Sequence, residues 1–220
     1  MNGIKAPEPS SGRVAVIIAH PDDETLWAGG LLLGHPEWSP FIITLCRGGD
    51  LDRAPKFRQA LKRLNAQGSM GDQDDGPDQL PLTSATVREC ILSLLPPLEF
   101  DLLLTHGLQG EYTRHRRHEE VAHAVQNLWR DGTIRAAKLW HFAYEDGGGS
   151  YLPRPRANAD LHLELPEGIW ARKCEIMTQV YGFEATSWEA RVAPRVEAFR
   201  CFSGQGIFRR SDEMARRFHS

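Results

Sequence analysis

The stretch VAVIIAHPDDETLWAGG, residues 14–30, changes character abruptly at His20. Val14, Val16, Ile17 and Ile18 read as the interior of a buried strand. His20, Pro21, Asp22, Asp23 and Glu24 follow at once, and a helical pattern over 24–33 begins where the charge ends. A continuous apolar run that stops on a polar cluster and turns into a helix predicts a strand of a parallel sheet, buried on both faces, with chemistry at its carboxyl end.

The same alternation continues along the chain. FIITLC (41–46), FDLLLTH (100–106) and AAKLWHFAY (136–144) read as further core strands. Helical patterns over 53–66, 84–94 and 118–130 separate them. Strand and helix in repeated succession predict an α/β fold, a Rossmann-like, mostly parallel sheet with helices on both faces. LHLELP (161–166) reads as an edge strand and 168–183 as a helix, and the last 35 or so residues fit no single pattern. Two loops are expected, at 68–81 and 145–160; the first, rich in Gly, Asp and Pro, is expected to be irregular. The glycines of AGGLLLG come after the acidic cluster and do not form GxGxxG behind the strand, so a dinucleotide loop is not indicated.

Composition narrows the class. The chain has 220 residues, 41% hydrophobic and 25% charged, enough for one domain with a full core; residues 1–12 read as a loose lead-in to a domain spanning 1–220. A formal charge of -3 provides no field that would draw nucleic acid or anionic lipid. No apolar run reaches the ~20 residues of a spanning helix. MNGIKAPEPSSG lacks the apolar core of a secretory signal, and Cys46, Cys90, Cys174 and Cys201 are dispersed among apolar neighbours. Reduced, buried thiols in a cytoplasmic protein are the expectation.

A histidine followed three residues later by an aspartate offers an imidazole nitrogen and a carboxylate oxygen from one turn, a pair that suits zinc. A third ligand must come from elsewhere, and GEYTRHRRHEEV (110–121) offers His115 and His118, three apart and on one face of a helical first turn. Of two adjacent aspartates, one can ligate while the other takes a proton from water attacking a carbonyl. A histidine that faces the metal without binding it can stabilise the oxyanion. Read singly, Asp22, Asp23 and Glu24 are more readily an N-cap with first-turn acids, and the two histidines a solvated face. Both clusters at carboxyl ends of predicted parallel strands favour a metal site.

AHPDDE after a first strand, with HxxH behind a GEY-type loop, resembles the PIG-L/LmbE-like family of zinc-dependent de-N-acetylases, and the resemblance extends from about residue 13 to about residue 185. It implies an LmbE-like α/β fold and hydrolysis of an N-acetyl group, commonly on a glucosamine-type sugar, to an amino sugar and acetate. Carried over by position, it makes His20, Asp23 and His118 ligands of Zn2+, with another divalent ion as the alternative. Asp22 becomes the general base acting on zinc-bound water, and His115 the charged or donating histidine at the oxyanion and leaving amine. The second motif departs from the usual His-Pro-Asp-His: His115-Arg116-Arg117-His118 lacks the aspartate that would orient His115, and Glu111 is the nearest substitute in sequence.

Arg47, in the CRGGD turn, and Tyr112, just before HxxH, are the substrate-binding candidates; Arg47 also reads as a turn cap and Tyr112 as packing. Asp50 and Arg53 are weaker candidates of the same kind, and Trp27 reads as core. Arg154 and Arg156 would meet an acidic substrate group if the 145–160 loop folds over the site. The expected ligand is a small N-acetylated sugar or glycoconjugate. The rivals are an amidase on another N-acyl bond and a non-catalytic metal- or nucleotide-binding module, with Arg117 marking decay of the site. A homo-oligomer is compatible with everything above.

Overall fold

The computed structural model describes residues 12–204; the expected lead-in falls almost wholly outside them. Five parallel strands form one side of a seven-stranded sheet, from its β3 edge inward: β1 (Arg13–Ile18), β2 (Ser39–Cys46), β3 (Gln67–Gln73), β4 (Phe100–Thr105) and β5 (Ala136–Phe142). A two-stranded ribbon, β6 (Tyr144–Glu145) with β7 (Arg154–Pro155), stands apart. β8 (Leu161–Glu164) and β9 (Val196–Ser203) complete the main sheet, in the order β3-β2-β1-β4-β5-β9-β8, with β9 antiparallel to both β5 and β8.

Period-two alternation along β1 divides the core. Val14, Val16 and Ile18 pack beneath α1 (Asp23–Gly34) and α2 (Arg53–Arg63), whereas Ala15, Ile17 and Ala19 pack beneath α3 (Ser84–Leu94) and α4 (Arg116–Arg130). Helices therefore cover both faces, as an all-apolar strand requires. α5 (Glu167–Glu175) lies against α1 and runs on into a π-helical turn, Ile176–Val180; α6 (Trp188–Val192) is a short helix beside that turn.

Sequence reading fails at 67–73, which is strand and not irregular loop. Gly68 is the physical reason: a Cβ there would stand 2.2 Å from the carbonyl oxygen of Ile42 on β2. The residue is glycine to allow two backbones to meet, not to make a loop flexible. The unassigned C-terminal stretch supplies β9, whose Glu197 is fully buried and accepts from the Gly30 and Leu31 amides at 2.7 Å and from Lys173 Nζ at 2.7 Å. That pair, with both side chains at 0% exposure, ties α1, α5 and β9 together. Gly30 is needed there too, since a Cβ would meet the Leu165 side chain at 2.3 Å.

The four cysteines are unpaired. Among the described residues, no helix is long and apolar enough to cross a membrane.

Candidate metal centre

The strand order reverses between β1 and β4, and in open α/β sheets this is where ligands bind, beyond the carboxyl ends. His20 follows β1, Arg47 follows β2 and His106 follows β4. α4 starts at Arg116, which places His115 at its N-cap and His118 in its first turn. One end of the sheet thus gathers both sequence motifs, 98 residues apart at His20 and His118.

Three atoms converge. His20 Nδ1 lies 3.2 Å from His118 Nε2 and 3.4 Å from Asp23 Oδ2, and His118 Nε2 lies 3.5 Å from that oxygen. Tetrahedral ligands at the usual zinc distances stand ~3.3 Å apart, so the triangle fits such an ion. The outer nitrogens fix the tautomers. His20 Nε2 lies 3.0 Å from Asp75 Oδ1, and His118 Nδ1 lies 2.6 Å from Glu111 Oε2. In the neutral rings each of those nitrogens donates to a carboxylate, which leaves a lone pair on the inner nitrogen. Two such lone pairs and a carboxylate facing one another at 3.2–3.5 Å repel unless a positive charge, a proton on His20 or a metal ion, lies among them. Burial opposes a charge on His20, yet Asp23 and Asp75 raise its proton affinity well above the ordinary value. The donor set fits a divalent cation.

The surroundings hold these three side chains in place. Trp27, fully buried, donates from Nε1 to Asp23 Oδ1 at 3.1 Å, so the ring read as core also orients that carboxylate. Glu111 is shared by His118 and His106, and its carboxyl, opposed by burial but held by those imidazoles, is pulled down to about 2. His106 stacks on His118 with centroids 3.8 Å apart, and its Nε2 accepts the Ala19 amide at 2.9 Å; that lone pair is committed to the backbone.

Asp22 occupies a left-handed backbone conformation, φ 110°, at the turn into α1. Its amide donates to Glu24 Oε2 at 3.0 Å, and Glu24 in turn accepts from the hydroxyls of Thr25 and Tyr181. Glu24 therefore holds the turn that aims Asp22. The Asp22 carboxylate pairs with Arg53 Nη1 at 3.0 Å, and burial, with Asp23 and Glu24 nearby, raises its proton affinity well above normal.

His115 stands beside the triangle, its ring 4.6 Å from that of His20 and 4.3 Å from that of His118, centroid to centroid. Burial, then the neighbouring His118, depresses its pKa to about 3, so the ring is neutral. Its Nδ1 is buried without a partner among the described residues. Glu111 does not touch it; that carboxylate is committed to His106, His118 and the Gly107 amide.

A cavity of about 280 Å³ opens over the triangle, lined by His20, Asp22, Arg53, Tyr112, His115 and Trp188 among others. Arg47 is on its rim, but its guanidinium is engaged by Asp75 Oδ2 at 2.8 Å. Tyr112 lies edge-on to His115, His118 and Trp188, and burial followed by the Asp23 charge raises its phenol. Arg154 and Arg156 do not line this cavity. Arg154 stacks on Tyr151 at 4.0 Å and Arg156 donates to the Tyr144 carbonyl, because the β6–β7 ribbon draws their loop toward the β5 side.

Arg117 points away from the cavity. It is 1% exposed and donates to the carbonyls of Asp74 at 2.6 Å and Leu80 at 2.8 Å and to Glu120 at 2.6 Å. It fastens the 74–80 loop, which carries Asp75. Sequence reasoning missed Asp75, Trp188 and Glu189. In DQDDG nothing distinguishes the acid that reaches His20 from its neighbours, and the five residues of α6 are too few to show a helical period.

This is the LmbE-like α/β fold. N,N'-diacetylchitobiose deacetylase from Pyrococcus horikoshii aligns with a TM-score of 0.64 at 12% identity, over 91% of this chain and 88% of that one. The A40926 pseudoaglycone deacetylase Dbv21 aligns with 0.59 at 16%, over 88% and 98%. The 4-carboxy-2-hydroxymuconate hydratase GalB of Pseudomonas putida KT2440 aligns with 0.57 at 16%, over 87% and 95%. At such identities the likeness shows the fold alone. No protein-family model matches. A curated relative, uncharacterized protein L374 of Acanthamoeba polyphaga mimivirus, is 24% identical over 144 residues, 59% of this chain, and the match spans 61% of that protein's length.

Proposed function

We propose that this protein is a metal-dependent hydrolase that removes the acetyl group from the nitrogen of an N-acetylated amino sugar or small glycoconjugate. The carrying observation is the triangle of His20 Nδ1, Asp23 Oδ2 and His118 Nε2, with Asp22 on the cavity side of it. His20, Asp23 and His118 hold zinc or another divalent ion, which, when bound, acidifies water and polarises a carbonyl. Asp22, aimed by its turn and held by Arg53, accepts a proton from the attacking water. The new C–O bond forms as the carbonyl oxygen takes up charge, and His115 presents a ring N–H to that oxygen. The C–N bond then breaks. Low proton affinity makes His115 a poor proton carrier, so Asp22, whose affinity burial raises, returns the proton to the departing amine. The products are acetate and the free amine.

Arg47, Tyr112, Trp188 and Glu189 supply a polar rim with aromatic rings, which suits the hydroxyls and faces of a sugar. Deacetylases of N,N'-diacetylchitobiose and of the A40926 pseudoaglycone share the fold, which supports the reading; a hydratase shares it too, so chemistry must decide. The test is an acetate-release screen over N-acetylated sugars, with metal analysis, with and without chelator. Chelator-sensitive acetate release with equimolar amine is expected. A metal-loaded protein that releases no acetate from any of them overturns the proposal.

A further inference from the structure

A second cavity, of about 240 Å³, lies where β5 ends against the middle of β9, beside the 107–110 turn, and it shares no lining residue with the first cavity. His141 and Arg200 face each other directly across this antiparallel pair, so their side chains leave the same face of the sheet. Both line the cavity, as do Arg156 and the ring of Phe202.

His141 is the informative residue. It is 3% exposed, and its Nδ1 lies 2.6 Å from the His106 carbonyl oxygen, an acceptor that only an N–H can satisfy. Burial also disfavours the charged ring. Nε2 therefore carries a lone pair, and that atom is buried without a partner among the described residues. A buried acceptor without a donor is costly, and a donor entering the cavity would remove the cost. Arg156 is held by the Tyr144 carbonyl and the Gln109 side chain at 3.4 Å, and Arg200 by Asp160 at 2.8 Å. Asp160 and Glu145 steady these guanidinium groups without lining the cavity. Two fixed cations beside a lone acceptor and an aromatic ring ask for a ligand that combines negative charge with a hydroxyl.

We propose that this cavity binds a small hydroxylated anion, a sugar acid or a sugar phosphate. Its anionic group sits on Arg156 and Arg200, and one of its hydroxyls donates to His141 Nε2. The site is independent of the metal centre and of the activity proposed for it.

Titration calorimetry on the full, chelator-treated chain tests this with glucuronate, glucose 6-phosphate, glucose and inorganic phosphate. Saturable binding of glucuronate or glucose 6-phosphate is expected, at least tenfold tighter than that of glucose or of phosphate, and the tighter of the two names the anion. Arg200→Gln and Arg156→Gln, at partly exposed positions, are expected to keep the fold by circular dichroism and to weaken binding at least tenfold each. His141→Phe, where it folds, is expected to do the same. Silence from both hydroxylated anions at millimolar concentration overturns the proposal, as does binding unchanged in both arginine variants.

Discussion

Nε2 of His20 lies 3.0 Å from Oδ1 of Asp75, a residue 55 positions along in a loop that carries no recognisable motif. This contact decides which nitrogen of His20 faces Asp23 and His118. In the neutral ring the proton held at Nε2 leaves the Nδ1 lone pair facing the centre. Asp75→Ala is therefore expected to lower divalent-metal affinity by about 10- to 100-fold while the fold persists. Competition titration with a chromophoric chelator measures it, and unchanged affinity would remove Asp75 from the site.

Asp22 touches Arg53 and not the triangle's inner atoms. Asp22→Asn keeps the shape and loses the base. Acetate release is expected to fall by about 10²- to 10⁴-fold with metal content intact. Full-rate hydrolysis in that variant would reassign the proton acceptor.

Arg117 stands where the resembling family usually has aspartate, and it has become a buried clamp on the 74–80 loop. Arg117→Ala leaves Glu120 and two carbonyls without their donor. A loss of about 3 kcal/mol is expected in denaturant unfolding. Arg117→Asp, which sets a third carboxylate beside Glu120 and Asp74, is expected to cost more. A variant as stable as the parent would show that the loop needs no clamp.

Glu111 makes stability depend on pH. Its carboxyl ionises at about 2 in the folded chain against an ordinary 4.5. A folded value below the unfolded one means a contribution that is complete above pH 4.5 and is lost as pH falls toward about 2. The difference corresponds to about 3 kcal/mol. Unfolding free energy measured from pH 6 to pH 3 is expected to drop, and Glu111→Gln is expected to flatten that drop. Equal slopes in parent and variant would place the acid sensitivity elsewhere.

The sequence by itself determined the parallel core and the two halves of the centre. Apolar runs that stop on His20 and His106 are legible because a strand buried on both faces is mostly apolar until its end. The three-residue spacings His20 to Asp23 and His115 to His118 are legible because a turn or a helix fixes what three residues do. Tertiary structure alone decided what those groups pair with. Asp75 reaches His20, Arg53 holds Asp22, and Glu111 serves His118 and His106, not His115, through contacts between segments 5 to 55 residues apart in the chain. Gly68 read as a loop and is strand, since only the folded sheet brings Ile42 against it. Arg117 read as the weak point of the second motif and is a clamp facing the other way, because a helix that turns His118 toward His20 and Asp23 turns its neighbour toward the 74–80 loop. Local periodicity specifies faces and ends, whereas the tautomers and charges of a buried centre follow from partners that only packing assembles.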